Sequence, residues 1–437
     1  MKINIIESTM VKPSKPTPSE ILFNSNTDLV VKSHVLTVYF FKPNTITTNF
    51  FDIKIMKEGL SNVLVSFYPM AGRLIWGNYK DNNGGEKRME INCNEEGVLF
   101  VEAKCDDTII DDFGDFVPSL EMEKLIPNSC GDIFILPLVM TQVTRFKCGG
   151  VCLGLGISHT LVDGVSGMHF IKSWSEMTRG FSVITVPPVF DRSFLRARDP
   201  PRPTFDHVEY HPPPTLKNIQ GQVDQVNVPN SSTTAMFKIT SDQLTLLKTK
   251  SEYNGSTYEV IAAHIWRCMC KARTLDDDQL TKLKAATNGR TRLCPPPPQG
   301  YIGNVVFTAT PIAKSGELLS EPLAITARRI HDAVIRMNDE YLRSAIDYLE
   351  LNKDSYKSIQ WPIFDPNPNV KINTWSKLPV YDCDFGWGKP IHMGPASLLN
   401  EGLVYILPSS NNDKSLTLAM CLNSHHMPLL EKYLYDF

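Results

Sequence analysis

The chain has no surplus of positive charge: 44 Lys and Arg face 47 Asp and Glu, for a net charge of −3. A polyanion partner calls for the opposite balance, so neither nucleic acid nor an acidic membrane fits. No apolar run is long enough to span a bilayer. The opening Met1-Lys2-Ile3-Asn4-Ile5-Ile6-Glu7 carries a charge at position 7, which is not the pattern of a signal peptide. The ten cysteines include the close pairs Cys148/Cys152 and Cys268/Cys270, but not the CxxC pairs and histidine spacings of a zinc site. Reduced thiols in the cytosol are the simpler account. There is no GxxxxGK[ST] loop and no full GxGxxG. After Gly154-Leu155-Gly156, His159 stands where the third glycine belongs, so a phosphate loop is unsupported. Gly164-Val165-Ser166-Gly167 misses the GxSxG spacing of a serine hydrolase.

What the chain does carry is a histidine and an aspartate four apart, in His159-Thr160-Leu161-Val162-Asp163-Gly164. The apolar run Val151 to Ile157 precedes them and reads as a strand buried on both faces. Its Gly154 and Gly156 suggest close backbone approach. His159 then sits where a buried strand leaves the core, and a neutral imidazole there can take a proton near pH 7. Alone, so short a pattern more often marks a packed histidine and a helix-capping aspartate than a reacting group, so support must come from elsewhere in the chain.

Strands and helices mix in both halves. Val38–Phe41 reads as a strand, Glu90 to Val101 as strands around a turn, and Val139 to Lys147 with Val151 to Ile157 as a hairpin across Gly149-Gly150. Helices are expected over Ile53 to Leu64, Val165 to Met177, Ser241 to Glu252 and, behind a capping box at Ser256, Val260 to Lys271. One long helix is expected over Ala324 to Tyr348. Late strands are expected over Gly303 to Thr310, Trp375 to Val380, Leu403 to Leu407 and Leu416 to Leu422. Prolines crowd the stretch from Pro187 to Pro214, which excludes regular structure and makes a stiff connector. The expected division is a first domain 1–186, a linker 187–220 and a second domain 221–437.

Asp384-Phe385-Gly386-Trp387-Gly388 is the second distinctive patch, with two glycines flanking a large ring. HxxxDG near the middle and DFGWG near the C-terminus, taken together, resemble the BAHD family of plant acyl-CoA-dependent acyltransferases. Phe67 to Leu74, Asp111 to Phe116, Thr144 to Gly150 and Ser256 to Arg267 look like its hydroxycinnamoyl-CoA shikimate/quinate members. His211 to Leu216, Gly303 to Lys314 and Ile391 to Pro395 lean towards the quinate enzymes. The likeness covers nearly the whole chain.

The resemblance implies an α/β fold of two similar-sized, chloramphenicol-acetyltransferase-like domains with mixed sheets and flanking helices, facing across an active-site channel. It implies a cytoplasmic monomer that uses hydroxycinnamoyl-CoA and a small hydroxylated acceptor, with no metal and no cofactor beyond the coenzyme A thioester. His159 is the implied general base, and Trp375 the donor to the oxyanion. Asp163 is an implied brace, paired with Arg290 or Arg292, in a loop that continues through Gly164. Asp384, Gly386 and Gly388 hold the DFGWG turn. Ser256, Thr257 and Arg292 are implied on the coenzyme A side, with Lys248 and Lys250 as additions. The acceptor side takes His34, Thr37, Tyr39, Asn373 and Lys377.

Two departures stand out. Close relatives carry Asp-Gly-Arg where this chain has Asn288-Gly289-Arg290. The shikimate-using relatives place a carboxylate-gripping arginine where an ungapped count puts Gln360, and a neutral amide is no substitute for a guanidinium. Quinate or shikimate is the expected acceptor. A neutral sugar hydroxyl or an amine is the alternative that the lost arginine raises. An inactive binding homologue is a third reading, and His159, Trp375 and Gly388 count against it.

Overall fold

The computed structural model describes residues 1–43, 49–77, 88–212, 214, 216, 232–353 and 367–437. Gln360 lies outside the described residues. Two large mixed sheets organise the chain. In spatial order the first runs Asn4–Val11, Val98–Cys105, Val139–Phe146, Val151–Ser158, His34–Phe41 and His392–Pro395. The second runs Val306–Ala309, Leu280–Asn288, Val370–Thr374, Leu403–Pro408, Leu416–Asn423 and Ser232–Ile239, with Ile312–Lys314 paired beside Leu280–Asn288. A small third sheet joins Ile21–Leu22, Met89–Asn92 and Arg73–Trp76.

The Val139–Phe146/Val151–Ser158 hairpin forms around Gly149-Gly150 as its turn chemistry requires. All eight residues of Val151–Ser158 are buried, which explains its uninterrupted apolar pattern. A Cβ built on Gly154 would lie 1.9 Å from the Leu125 carbonyl oxygen, so only glycine lets that loop cross the strand. Helices Ile53–Ser66 and Gly164–Thr178 pack together on this half, and Trp174 donates its indole N–H to the Met56 carbonyl at 3.1 Å. In the other half the helix Thr257–Ala272 is the central member, with Leu323–Ile335 and Met427–Leu434 against it. No described helix is long and apolar enough to cross a membrane.

Three expectations about elements need correction. The helix expected over Ala324 to Tyr348 is two helices, Leu323–Ile335 and Asp339–Leu351. Asn338 breaks it by capping the second, its side chain accepting from the Tyr341 N–H at 3.0 Å. The strand expected from Trp375 is Val370–Thr374, and Trp375 opens the turn after it. The helix expected from Ser241 to Glu252 is Ser241–Lys250, and its cap is Thr240, which forms a capping box with Gln243.

The His392–Pro395 strand was not expected. It pairs antiparallel with His34–Phe41, so a segment from the C-terminal part of the chain completes the first sheet. The proline-rich connector carries a 3-10 turn at Arg192–Leu195 and a bridge from Val189 to Tyr301.

Candidate active site

His159 emerges from the end of Val151–Ser158, its backbone N–H donating to the Ser33 carbonyl at 3.0 Å. Its ring is half-buried, and Nδ1 lies 2.8 Å from Asn304 Oδ1. The Asn304 amide is oriented by its own donor end: Nδ2 donates to the His159 carbonyl at 2.6 Å and to Asp28 Oδ1 at 3.0 Å. Oδ1 must then face the ring, and an amide oxygen only accepts. The ring proton therefore sits on Nδ1, leaving a lone pair on Nε2. Burial is the largest influence on the imidazole and holds its pKa below the ordinary value. The His159 carbonyl, Asp163 and Asn304 pull the other way, and the Lys371 charge adds to the lowering. A neutral ring with a bare Nε2 can accept a proton from a hydroxyl.

Asp163 points away from that ring. It caps the helix Gly164–Thr178 through the Ser166 N–H at 3.0 Å and accepts the Val305 N–H at 3.0 Å. Arg290 grips it with two bonds of 2.6 and 3.0 Å. Burial alone would raise the Asp163 pKa, but Arg290 and the two backbone donors hold it below the ordinary carboxylate value. Asn288 keeps the turn before Arg290 by accepting the Arg290 N–H at 3.0 Å, so this contact survives the loss of the relatives' aspartate. Arg292 points elsewhere, donating to the carbonyls of Val334 at 2.8 Å and Met337 at 3.2 Å behind Leu323–Ile335.

The DFGWG segment is a turn folded over one carboxylate. Asp384 Oδ1 accepts from the Gly386 N–H at 2.8 Å and the Gly388 N–H at 2.9 Å. Both glycines have positive φ, +104° and +103°, which side-chain-bearing residues avoid. The turn drives Phe385 into the first core, its ring 5.0 Å from Trp174, and sets Trp387 5.0 Å from Phe51.

Trp375 follows the second-sheet strand Val370–Thr374 and packs at the margin of the first core, edge-on to Tyr405 at 4.8 Å. Leu378, from the same turn, sits where a Cβ on Gly164 would meet it at 3.0 Å. The second sheet thus delivers this turn against the start of the Asp163-capped helix. Asn373 hydrogen-bonds Tyr405, its register partner. Lys377 is exposed. His34 accompanies the strand end, its Nε2 2.8 Å from the Pro137 carbonyl. Thr37 is buried, and Tyr39 is wholly enclosed, its hydroxyl 3.6 Å from the Met168 sulfur. Ser256 caps Thr257–Ala272 in the expected capping box with Glu259. Thr257 and Lys248 line one open groove of about 570 Å³ with Tyr253, Asn254 and Lys414. Lys250 donates to the Phe437 carbonyl. Among the described residues no cluster of His, Cys, Asp and Glu is arranged to hold a metal.

The transferase family model matches residues 1–436. The chain belongs to this BAHD transferase family. It is an acyl-CoA-dependent acyltransferase. It is similar to the shikimate O-hydroxycinnamoyltransferase of Nicotiana tabacum, 51% identical with 100% of both chains covered. It is also similar to a hydroxycinnamoyltransferase of Narcissus pseudonarcissus, 49% identical over 100% of both. A third relative is the hydroxycinnamoyl-CoA:5-hydroxyanthranilate N-hydroxycinnamoyltransferase of Avena sativa, 45% identical over 100% of both. The crystal structure of F. graminearum TRI101 with coenzyme A and T-2 mycotoxin superposes with a TM-score of 0.77 at 18% identity. That match covers 95% of this chain and 97% of the other, and shows the shared fold.

Two residues around His159 were not anticipated. Asn304 follows Gly303 in a stretch read as a plain strand, and its one polar side chain among apolar neighbours was the available signal. Lys371 alternates with the buried Val370 and Ile372, so it shares a sheet face with Asn373. Its register partner on the neighbouring strand is Lys284.

Proposed function

We propose that this acyltransferase moves a hydroxycinnamoyl group, p-coumaroyl or caffeoyl, from coenzyme A to a hydroxyl of quinate or shikimate. The observation that carries the mechanism is the bare Nε2 of His159, kept so by a proton on Nδ1. Nε2 takes the acceptor's hydroxyl proton as the oxygen attacks the thioester carbonyl. The oxyanion that forms takes a hydrogen bond from the Trp375 indole N–H. Collapse expels the coenzyme A thiolate, which recovers the proton from Nε2. No acyl-enzyme forms. Coenzyme A lies along the second half past Ser256 and Thr257, with Arg292 acting through the helix end it braces. His34, Asn373 and Lys377 belong to the acceptor side, with the buried Thr37 and the enclosed Tyr39 backing it from within the first sheet. The working unit is a cytoplasmic monomer of two domains, 1–186 and 221–437, joined by 187–220, with no cofactor beyond the thioester.

The name of the tobacco relative supports a carboxylate-bearing acceptor. So does Lys371, whose charge reaches His159 from the face it shares with Asn373. A neutral sugar hydroxyl or an amine is the second reading, favoured by Gln360 and by the N-acyl transfer in the name of the oat relative. The test is p-coumaroyl-CoA with quinate, shikimate, a phenylethanoid glycoside and putrescine. Turnover with quinate or shikimate is expected, and Lys371→Met should raise KM for that acid about 10-fold while kcat changes little. Turnover confined to the glycoside or the amine removes the acid reading.

A further inference from the structure

His159 can act as a base through Nε2 only while Asn304 presents Oδ1, and not Nδ2, to its Nδ1. A side-chain amide turns over unless its other partners forbid it. Here two acceptors forbid it: the His159 carbonyl, which takes Nδ2 at 2.6 Å, and Asp28, which is 0% exposed. Asp28 Oδ1 accepts both the Asn304 backbone N–H at 2.7 Å and Nδ2 at 3.0 Å. Its Oδ2 accepts the Ser25 N–H at 2.8 Å and the Ser25 hydroxyl at 2.6 Å, and faces Arg192 Nη1 at 3.3 Å. Every one of these groups is a donor. Both oxygens must accept, which an ionised carboxylate does and an amide cannot.

Arg192 is 2% exposed and comes from the proline-rich connector. It donates to the Leu161 carbonyl at 2.7 Å and the Thr160 carbonyl at 3.4 Å, inside the HTLVDG loop, and also to the Asn24 side chain. Thr27 closes the arrangement by donating to the Asn304 carbonyl at 2.7 Å. Three distant segments thus converge behind the histidine: residues 24–28, the connector at 192, and residue 304 of the second half.

We propose that Asp28 and Arg192 are positioning residues that lock His159 in its Nδ1–H tautomer by fixing the Asn304 amide. The proposal rests on the general-base reading of His159. The connector is then part of the site and not only a spacer, because the base is set only when Arg192 and Asn304 are both docked against residues 24–28.

Asp28→Asn sets an amide donor among groups that all donate, which unseats the Asn304 backbone and side chain from Asp28 and draws Nδ2 off the His159 carbonyl. The amide then turns, offering Nδ2 to the ring and moving the ring proton to Nε2. The expected result is a loss in kcat of about 100-fold or more. KM for p-coumaroyl-CoA should stay within about twofold. The ring ¹⁵N spectrum of histidine-labelled free enzyme should lose its bare-Nε2 signal for His159, the one absent from His159→Gln. Asn304→Leu removes the Oδ1 acceptor without touching the Asp28–Arg192 pair, should give the same losses, and decides the question if Asp28→Asn does not fold. Wild-type kcat in a folded variant overturns the lock. So does a fallen kcat with an unchanged ¹⁵N pattern, because Asp28 then acts through the fold alone. Either result, with His159→Ala inactive, leaves the base reading standing. An active His159→Ala removes the base reading and the lock together.

Discussion

His159 gains its proton more reluctantly than a free imidazole, because burial disfavours the charged ring. On the proposed general-base role, activity needs the neutral form, so a lowered pKa extends it towards acid. The acid limb of kcat/KM should lie below the ordinary histidine value of about 6.5. A limb at or above that value would contradict the burial argument. Asp163 presents the opposite case, a carboxylate whose charge is required. Asp163→Ala would strand Arg290 half-enclosed and uncap a helix, costing about 3–5 kcal/mol in urea unfolding. Wild-type stability would show that the pair carries nothing. His159 and Asp163 were legible because a motif and its distant companion fall at fixed places in the chain. Asn304 was not, because a single asparagine announces no partner until the fold brings residues 28, 159 and 304 together. Lys371 escaped for a similar reason: its strand was expected to begin at Trp375, five residues after its actual start at Val370.

At the level of elements, turn and cap chemistry was the more readable layer. The glycine hairpin, the capping box at Ser256 and the buried strand before His159 each follow from local geometry that no neighbour needs to supply. The single helix expected over Ala324 to Tyr348 failed where Asn338 competes with the helix by capping the next one. The DFGWG turn offers a separation of charge from geometry. Asp384 uses Oδ1 to hold two glycine N–H groups, and asparagine keeps that acceptor. Asp384→Asn should therefore transfer within about threefold of wild type, whereas Asp384→Ala should lose about 1–3 kcal/mol of stability. An inactive but stable Asp384→Asn would assign the carboxylate a chemical role instead.

For the whole molecule, the two-sheet mixed α/β plan could be expected from the sequence, but the exchange between halves could not. His392–Pro395 is four residues long, and its pairing with His34–Phe41 is a long-range choice that local propensity does not encode. Phe385 and Trp387 reach into the same half. Residues 1–220 expressed alone should therefore be insoluble or lack a cooperative melt, and co-expression with 221–437 should restore both. A cooperative, soluble 1–220 fragment would show that the first sheet closes without its borrowed strand.

That borrowed strand also bears on how the protein is made. Chains emerge from the ribosome N-terminus first, and early domains usually settle before later ones appear. Here the first sheet has an open edge along His34–Phe41 until residue 395 has been synthesised, close to the end of the 437-residue chain. The nascent first half must therefore keep an apolar strand edge unpaired through most of translation, the stage at which chaperone protection matters most.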